Sequence, residues 1–581
     1  MSDQFMSILL LHPEDDLAGS SRHSRWDMVV DLGRAPKSLY DEWATRFGCP
    51  AFSIFELARE IEDFRSWRGI MDLGRGYLLD SSGIDWWDLI GMLMQPEVQD
   101  VRLALRLAEK IRGTHEIVTS RPSLVAAAVG LHLGIPVREI HPGRQRRLKQ
   151  QFGRYGRALS NLKFDQLRQV AFDKYDPTYK WRRRIARPAR LSTDPVILLP
   201  TAYSNVTRTA LSYAELLPEQ QFLLVIARES AAPSAVPQNV EAASLAAFAK
   251  DSSDAQELRG LENQWTEMER ALNTHPDYKV ACELGVLTRG RKWLRWGLAV
   301  RDAWARVFET QAVVGCLSAD DSNPYTRVPL LLALKRDLPA VACHHGALDA
   351  RMMYKGHQFS TYLAKGGMEK DYLERVCLVD REKIRIGAAR VDPDGVALWD
   401  RNAPWIVVFT EPYESDGWRG ESVYRDILSR VVEVARRMEK IVVVKIHPFE
   451  SGRQRRRMLK HMLSGADLEL VRIEEGALSR SIFEKAWCAV TVESTTAFEC
   501  AALGIPVFLC GWLRHAYVAY AAQYARYGVG MILDSADDLL RIPENLPAAT
   551  PAAHVSQHLM QPITATALAE VLCGPVVGRL R

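Results

Sequence analysis

The chain has 581 residues, 47% of them hydrophobic, and a net charge of +4. This is a globular composition with too much chain for one core, so two to four domains are expected. Nine cysteines without a CxxC pair exclude a disulfide scaffold and a zinc ribbon and fit a reducing cytoplasm, and no apolar run approaches the roughly 20 residues that span a bilayer.

The first segment, "FMSILLL" (5–11), is too short for a signal core and runs straight into "HPEDD", so it reads as a strand. Farther on, "EIVTSRPSLVAAAVGLHLGIPVREI" (116–140) gives a β-branched strand, a polar loop, a helix of small and apolar residues, a Gly-x-Pro stop and a second strand. Glycine supplies a left-handed cap and proline prevents the helix from continuing. The same unit returns at 312–346 ("AVVGCLSADDSNPYTRVPLLLALKRDLPAVACHHG") and at 488–512 ("CAVTVESTTAFECAALGIPVFLCGW"). Strands that are apolar on both faces belong to a sheet covered by helices on both sides, so these are βαβ units of parallel sheets.

Between the first unit and the rest lies a basic stretch. Residues 144–190 hold fifteen Lys/Arg against three Asp, a net +12, which leaves the remainder of the chain at −8. Phe152, Tyr155, Phe164, Tyr175, Tyr179 and Trp181 are interleaved with the charges. Such a segment suits anionic lipid headgroups or an anionic glycan, and equally a solvated helical linker. No RNP-like pattern, zinc finger or basic zipper accompanies it, so nucleic acid is not expected as a partner. "DPVILLP" near residue 195 opens a middle domain that "KIRIGAAR" (383–390) closes, and "WIVVFTEP" (405–412) opens a last one. The expected domains are therefore 1–143 (α/β), 144–190 (basic helical linker), 191–398 and 399–581. Residues 1–143 either stand alone or complete the middle domain.

Ligands of open parallel sheets bind beyond the carboxyl ends of the strands. Two motifs fall there in the last domain. "KIVVVKIHPFE" (440–450) ends a buried strand in Lys445 and His447, a cation and an imidazole placed for an anion. "TVESTTAFECAALGIP" (491–506) offers Ser494, Thr495 and Thr496 at a helix start, where backbone N–H groups and the helix dipole favour an anion, with Glu499 one turn in. The other reading of Thr496 and Glu499 is a capping box, and of His447 a loop histidine bonded to its neighbours. Thr410 and Glu411 end the neighbouring strand. No GxGxxG follows a strand and no GxxxxGK[ST] occurs.

"VVVKIHP" followed by "VTVESTTAFECAALGIPVFLCG" resembles the KxHP and ST-x-x-x-E-A-x-x-x-G-x-P-V patterns of capsule polysaccharide synthesis glycosyltransferases, among them enzymes that transfer Kdo from its CMP ester. The resemblance covers roughly residues 195–545. It implies a GT-B-like α/β fold, a pair of Rossmann-like doubly wound domains facing a cleft with an additional N-terminal α/β region. It also implies that Lys445, His447, Ser494, Thr495 and Thr496 hold the donor phosphate, with Thr410 and Glu411 on the same nucleotide side. Glu499 would hold the ribose hydroxyls, and His345 of "PAVACHHGALD" would face the acceptor.

Glycosyl transfer requires stabilisation of the leaving phosphate, removal of the acceptor's proton and alignment of the two reactants. His447, Lys445 and the helix start near Thr496 supply the first without a metal, and no carboxylate cluster has metal-ligand spacing. His345 or Asp320 is the expected base; for the adjacent Asp321 the competing role is a helix cap. The expected protein is thus a cytoplasmic, metal-independent glycosyltransferase without a cofactor, working at the inner face of the membrane. It would move a nucleotide-activated sugar, an acidic one such as Kdo, onto a surface polysaccharide or lipid-linked glycan. The alternatives are a CDP-polyol phosphotransferase, a sugar-nucleotide epimerase, and a non-catalytic scaffold of polysaccharide assembly. Glu493, a carboxylate beside the supposed phosphate site, favours the last unless Lys445 or Arg419 compensates it.

Overall fold

A computed structural model describes residues 6–12, 25–32, 37–58, 64–140, 192–228, 231–248, 255–346, 359–389, 399–411, 413, 420–447, 450–476, 478–513, 520–552 and 558–574. The basic stretch 144–190 lies outside the described residues, as does Arg419. Among the described residues no helix is long and apolar enough to cross a membrane.

The strands form three sheets, and every pairing within them is parallel. The first holds β1 (Met6–Leu11), β2 (Met28–Asp31), β3 (Ala51–Ser53), β4 (Thr114–Thr119) and β5 (Val137–Glu139), in the order β3-β2-β1-β4-β5. The second holds β6 (Ser192–Thr201), β7 (Phe222–Ile226), β8 (Val240–Ser244), β9 (Gln311–Ser318), β10 (Ala340–Cys343), β11 (Thr361–Ala364) and β12 (Ile384–Ile386). Its order is β12-β11-β10-β9-β6-β7-β8. The third holds β13 (Trp405–Phe409), β14 (Ile441–Lys445), β15 (Val471–Glu474), β16 (Ala486–Thr491), β17 (Val507–Cys510) and β18 (Met531–Leu533), in the order β15-β14-β13-β16-β17-β18. Each sheet begins in its middle, steps outward to one side and then resumes on the other side of its first strand, which is the Rossmann-like doubly wound pattern. The strand order therefore reverses at β1/β4, β6/β9 and β13/β16. Residues 1–143 carry a sheet of their own.

The three βαβ units form as their sequences imply. The helices Leu124–Leu133, Pro324–Leu334 and Thr496–Ala502 lie between the expected strand pairs. Gly134 (φ 69°) and Gly504 (φ 76°) make left-handed turns after two of these helices; after the third, Asp337 takes that conformation at φ 56°. All residues of Phe222–Ile226 and Ala486–Thr491 are buried, so the apolar-on-both-faces reading holds there.

The compact units do not follow chain order. One gathers described residues within 1–62, 99–163 and 395–556; the other gathers those within 63–98, 164–394 and 557–581. The sequence reading, which kept 399–581 together, misses the return of the C-terminal segment to the unit of the seven-stranded sheet. There the Ala388 N–H donates to Gln561 O (2.7 Å) and the Gln561 N–H to Lys365 O (2.8 Å). The segment lies so close that a Cβ on Gly366 would press into the carbonyl oxygens of His558 and Leu559, and one on Gly315 into that of Leu572. In the same unit, Arg301 (5% exposed) anchors the segment 64–98. Its guanidinium binds Asp80 at 3.0 Å, Glu257 at 2.7 Å and Asp302 at 2.6 Å, and Asp80 also accepts the indole N–H of Trp86.

Two outcomes follow from these contacts. Gly366→Ala should lower the stability of the folded state by about 2 kcal/mol, the usual cost of overpacking, and speed hydrogen exchange across 558–563. Arg301 holds the Glu257 carboxyl down at about 2, against an ordinary 4.5. A depressed carboxylate contributes stability that is complete above its unfolded pKa and disappears as pH falls through its folded one. The melting-temperature gap between wild type and Glu257→Gln should accordingly be full at neutral pH and close between about pH 4.5 and 2.

Candidate functional site

In the six-stranded sheet the reversal lies between β13 and β16, and the loops beyond them meet. The Glu493 N–H donates to Glu411 Oε1 at 2.7 Å, tying the loop after β16 to the loop after β13. Thr491 Oγ donates to Phe409 O at 3.0 Å and accepts the Ser494 N–H at 3.3 Å. Beside them His447 follows β14, and its N–H lies 3.1 Å from Thr410 Oγ. The structure thus brings Thr410, Glu411, His447, Glu493 and Ser494 to one carboxyl edge.

Burial pulls the His447 imidazole below its ordinary range; Glu411 opposes this and Lys445 adds to it. This shift favours the neutral imidazole, which can donate one hydrogen bond and accept a proton when an anion arrives. Lys445 is directed elsewhere. Its ammonium donates to Gly476 O at 2.7 Å, on the β15 side, and burial lowers its pKa against the pull of Glu474 and Glu475. A phosphate would have to compete with that carbonyl for it.

The helix after β16 runs Thr496–Ala502, with Thr495 at the cap position and no side-chain cap bond. Ser494 Oγ accepts the Thr496 N–H (3.4 Å) and lies 3.0 Å from the Thr496 hydroxyl. Thr495 and Glu499 are exposed at the start of this helix.

The main group that the sequence reading misses is Glu450, 7% exposed and surrounded by Thr410, Tyr424, Arg455 and the His447 N–H. Its signal was present in "HPFE", an acid three residues beyond the histidine, but nothing local shows that it turns inward.

The seven-stranded sheet carries the other expected residues. Asp320, after β9, is 1% exposed, and its carboxylate accepts the N–H of Ser322 at 2.8 Å and the amide of Asn323 at 2.5 Å. This geometry fits a loop-organising acid and weighs against Asp320 as the base. The cap considered for Asp321 falls to Asn323, whose side chain accepts the Tyr325 N–H at 3.0 Å. Asp321 instead sits 3.7 Å from the fully buried Arg327. His345, half-buried after β10, has Nδ1 3.4 Å from Ala319 O and its ring 4.7 Å from that of His344. Nearby, Lys365 bridges Gly346 O (2.8 Å) and Glu369 (2.9 Å). Among the described residues no group of three or more His, Cys, Asp or Glu could hold a metal ion.

If Asp320 organises its loop, Asp320→Ala should lower stability by about 2 kcal/mol, because buried donors lose their acceptor. A melt unchanged from wild type would return the carboxylate to the list of candidate bases.

No protein-family profile and no curated protein sequence matches this chain. Among solved structures, the UDP-GlcNAc 2-epimerase of Neisseria meningitidis bound to UDP-GlcNAc is 10% identical, with 67% of this chain and 99% of that one covered at a TM-score of 0.37. The calicheamicin glycosyltransferase is 11% identical over 67% of this chain and 97% of its own, with a TM-score of 0.36. The wall teichoic acid polymerase TagF is 10% identical over 74% and 94%, with a TM-score of 0.34. Likeness of this extent leaves the architecture to be read from the three sheets themselves.

Proposed function

We propose that this chain is a nucleotide-sugar-dependent glycosyltransferase of the GT-B group, with the donor's nucleotide seated at the β13/β16 reversal. The observation that carries this reading is the geometry around His447: a partly buried histidine held at the carboxyl edge by Thr410, on the strand next to β13, whose loop is tied to the loop that carries Ser494 and opens the helix Thr496–Ala502. As the glycosidic bond to the leaving phosphate breaks, negative charge grows on the phosphate oxygens. An imidazole N–H, a serine hydroxyl and loop N–H groups stabilise it most where water is scarce. An approaching phosphate also raises the histidine's affinity for a proton, so binding near neutral pH should take up a fraction of a proton.

Glu411 and Glu499 provide carboxylates suited to sugar or ribose hydroxyls. The donor we favour is a CMP-linked acidic sugar such as Kdo, and the acceptor a surface polysaccharide or lipid-linked glycan. His345 is the proposed base for the acceptor hydroxyl, since Asp320 is engaged within its own loop.

Thermal unfolding of the full chain with CMP, CDP, UDP and GDP tests the reading, because a ligand that binds only the folded state raises the melting temperature. CMP should raise it in wild type and markedly less in His447→Ala, whose weaker binding stays measurable by calorimetry. A shift with UDP alone would favour the epimerase reading. No shift with any nucleotide, or a shift undiminished in His447→Ala, overturns the assignment.

A further inference from the structure

Glu450 touches His447 twice. Its carboxylate accepts the His447 N–H at 2.9 Å, and its own N–H donates to His447 O at 2.9 Å. Both backbone polar groups of the histidine are thus held by one residue.

The same carboxylate draws in three other elements. Thr410, at the end of β13, donates its hydroxyl to Oε2. Tyr424, in the helix Gly420–Arg437, donates to Oε1 at 2.8 Å. Arg455, in the helix Gly452–Met462, binds Oε1 through Nε and Nη2, both at 2.9 Å. Arg455 is itself 4% exposed, with its guanidinium 4.9 Å from the centre of the Tyr424 ring. Burying such an ion pair adds little stability over apolar packing of the same volume. What apolar side chains could not supply is an acceptor for the amide of a loop that must present an imidazole.

We propose that Glu450 is the positioning residue of this site, fixing the His447 imidazole at the β13/β16 edge through its two backbone hydrogen bonds while Arg455, Tyr424 and Thr410 hold the carboxylate in place. The proposal rests on the reading of His447 as the nucleotide-binding group, and its test separates the two. Glu450 acts through His447 and does not itself touch the ligand. Its removal therefore matters only while the imidazole is present. Among the described residues the charged groups that bear on that imidazole are Glu411 and Lys445, and neither is altered by substitution at 450.

The test is a double-mutant cycle in the full chain, with CMP affinity measured by calorimetry and the His447 ring followed by NMR titration. Glu450→Gln should weaken CMP binding about tenfold, in the range seen when a group that orients a ligand-binding side chain is lost. Added to His447→Ala it should weaken binding no further, and independent losses that multiply would overturn the proposal. In the titration, Glu450→Gln should carry the imidazole from its depressed value toward about 6.5, the ordinary one; an unchanged curve would likewise overturn it. Should wild type bind none of the nucleotides, the functional reading falls while the titration still decides the role of Glu450. Tyr424→Phe, which removes one donor and keeps the ring, should move the titration in the same direction by less. It serves if Glu450→Gln does not fold.

Discussion

A carboxylate shut away from water needs donors on every side, and the sheet edges of this protein are organised around that requirement. Where a parallel strand ends, the following loop carries backbone N–H groups that no neighbouring strand can bind. Here acids meet them. Asp320 takes the Ser322 N–H after β9, Glu369 the Lys365 N–H after β11, Glu411 the Glu493 N–H after β16, and Glu450 the His447 N–H after β14. Charge-assisted bonds of this kind are roughly twice as strong as neutral ones, and each holds a loop in one conformation. Glu450 is the most engaged of the four, and the histidine on which the functional reading depends is the loop residue it holds.

The sequence announces the strands, the helices and their order of use because those are local matters. Runs such as "IVVVK" and stops such as "GIPV" specify a buried strand or a helix end from within a few residues. The placement of His447 at a strand end belongs to the same class of fact, since it needs only the length of the strand. The direction of a side chain does not. Lys445 stands two residues before His447, and the carbonyl that captures it belongs to Gly476, on the far side of another helix–strand crossing. Arg455 is one arginine in the run "GRQRRR", and only packing against Tyr424 tells it from its neighbours. Asp320, taken from the sequence as a candidate base, turns out to serve Ser322 and Asn323 of its own loop, a role that acids followed by such residues commonly take.

The division into units has a similar explanation. Contacts that move residues 64–98 and 558–574 into the unit of the seven-stranded sheet join positions hundreds of residues apart. They depend on features that carry no periodicity: a glycine where two backbones touch, or an arginine facing three acids. Hydrophobic patterning finds sheets, but it does not say which sheet a C-terminal helix covers. The N-terminal residues show the same limit from the other side, because their five strands repeat the doubly wound order while their loops carry no motif that assigns them a task.

If the β13/β16 edge is the nucleotide seat proposed above, its side chains bear on the kind of anion it would suit. Lys445 is engaged with Gly476, burial pulls His447 below its ordinary range, and Glu411 and Glu493 bring carboxylates to the same loops. A bare multivalent phosphate would meet repulsion there with only a titrating imidazole to offset it. On the reading proposed above, an esterified phosphate with one charge would suit the edge better, its charge directed to the imidazole and its sugar hydroxyls to the carboxylates, because a carboxylate repels phosphate and attracts a hydroxyl from the same position.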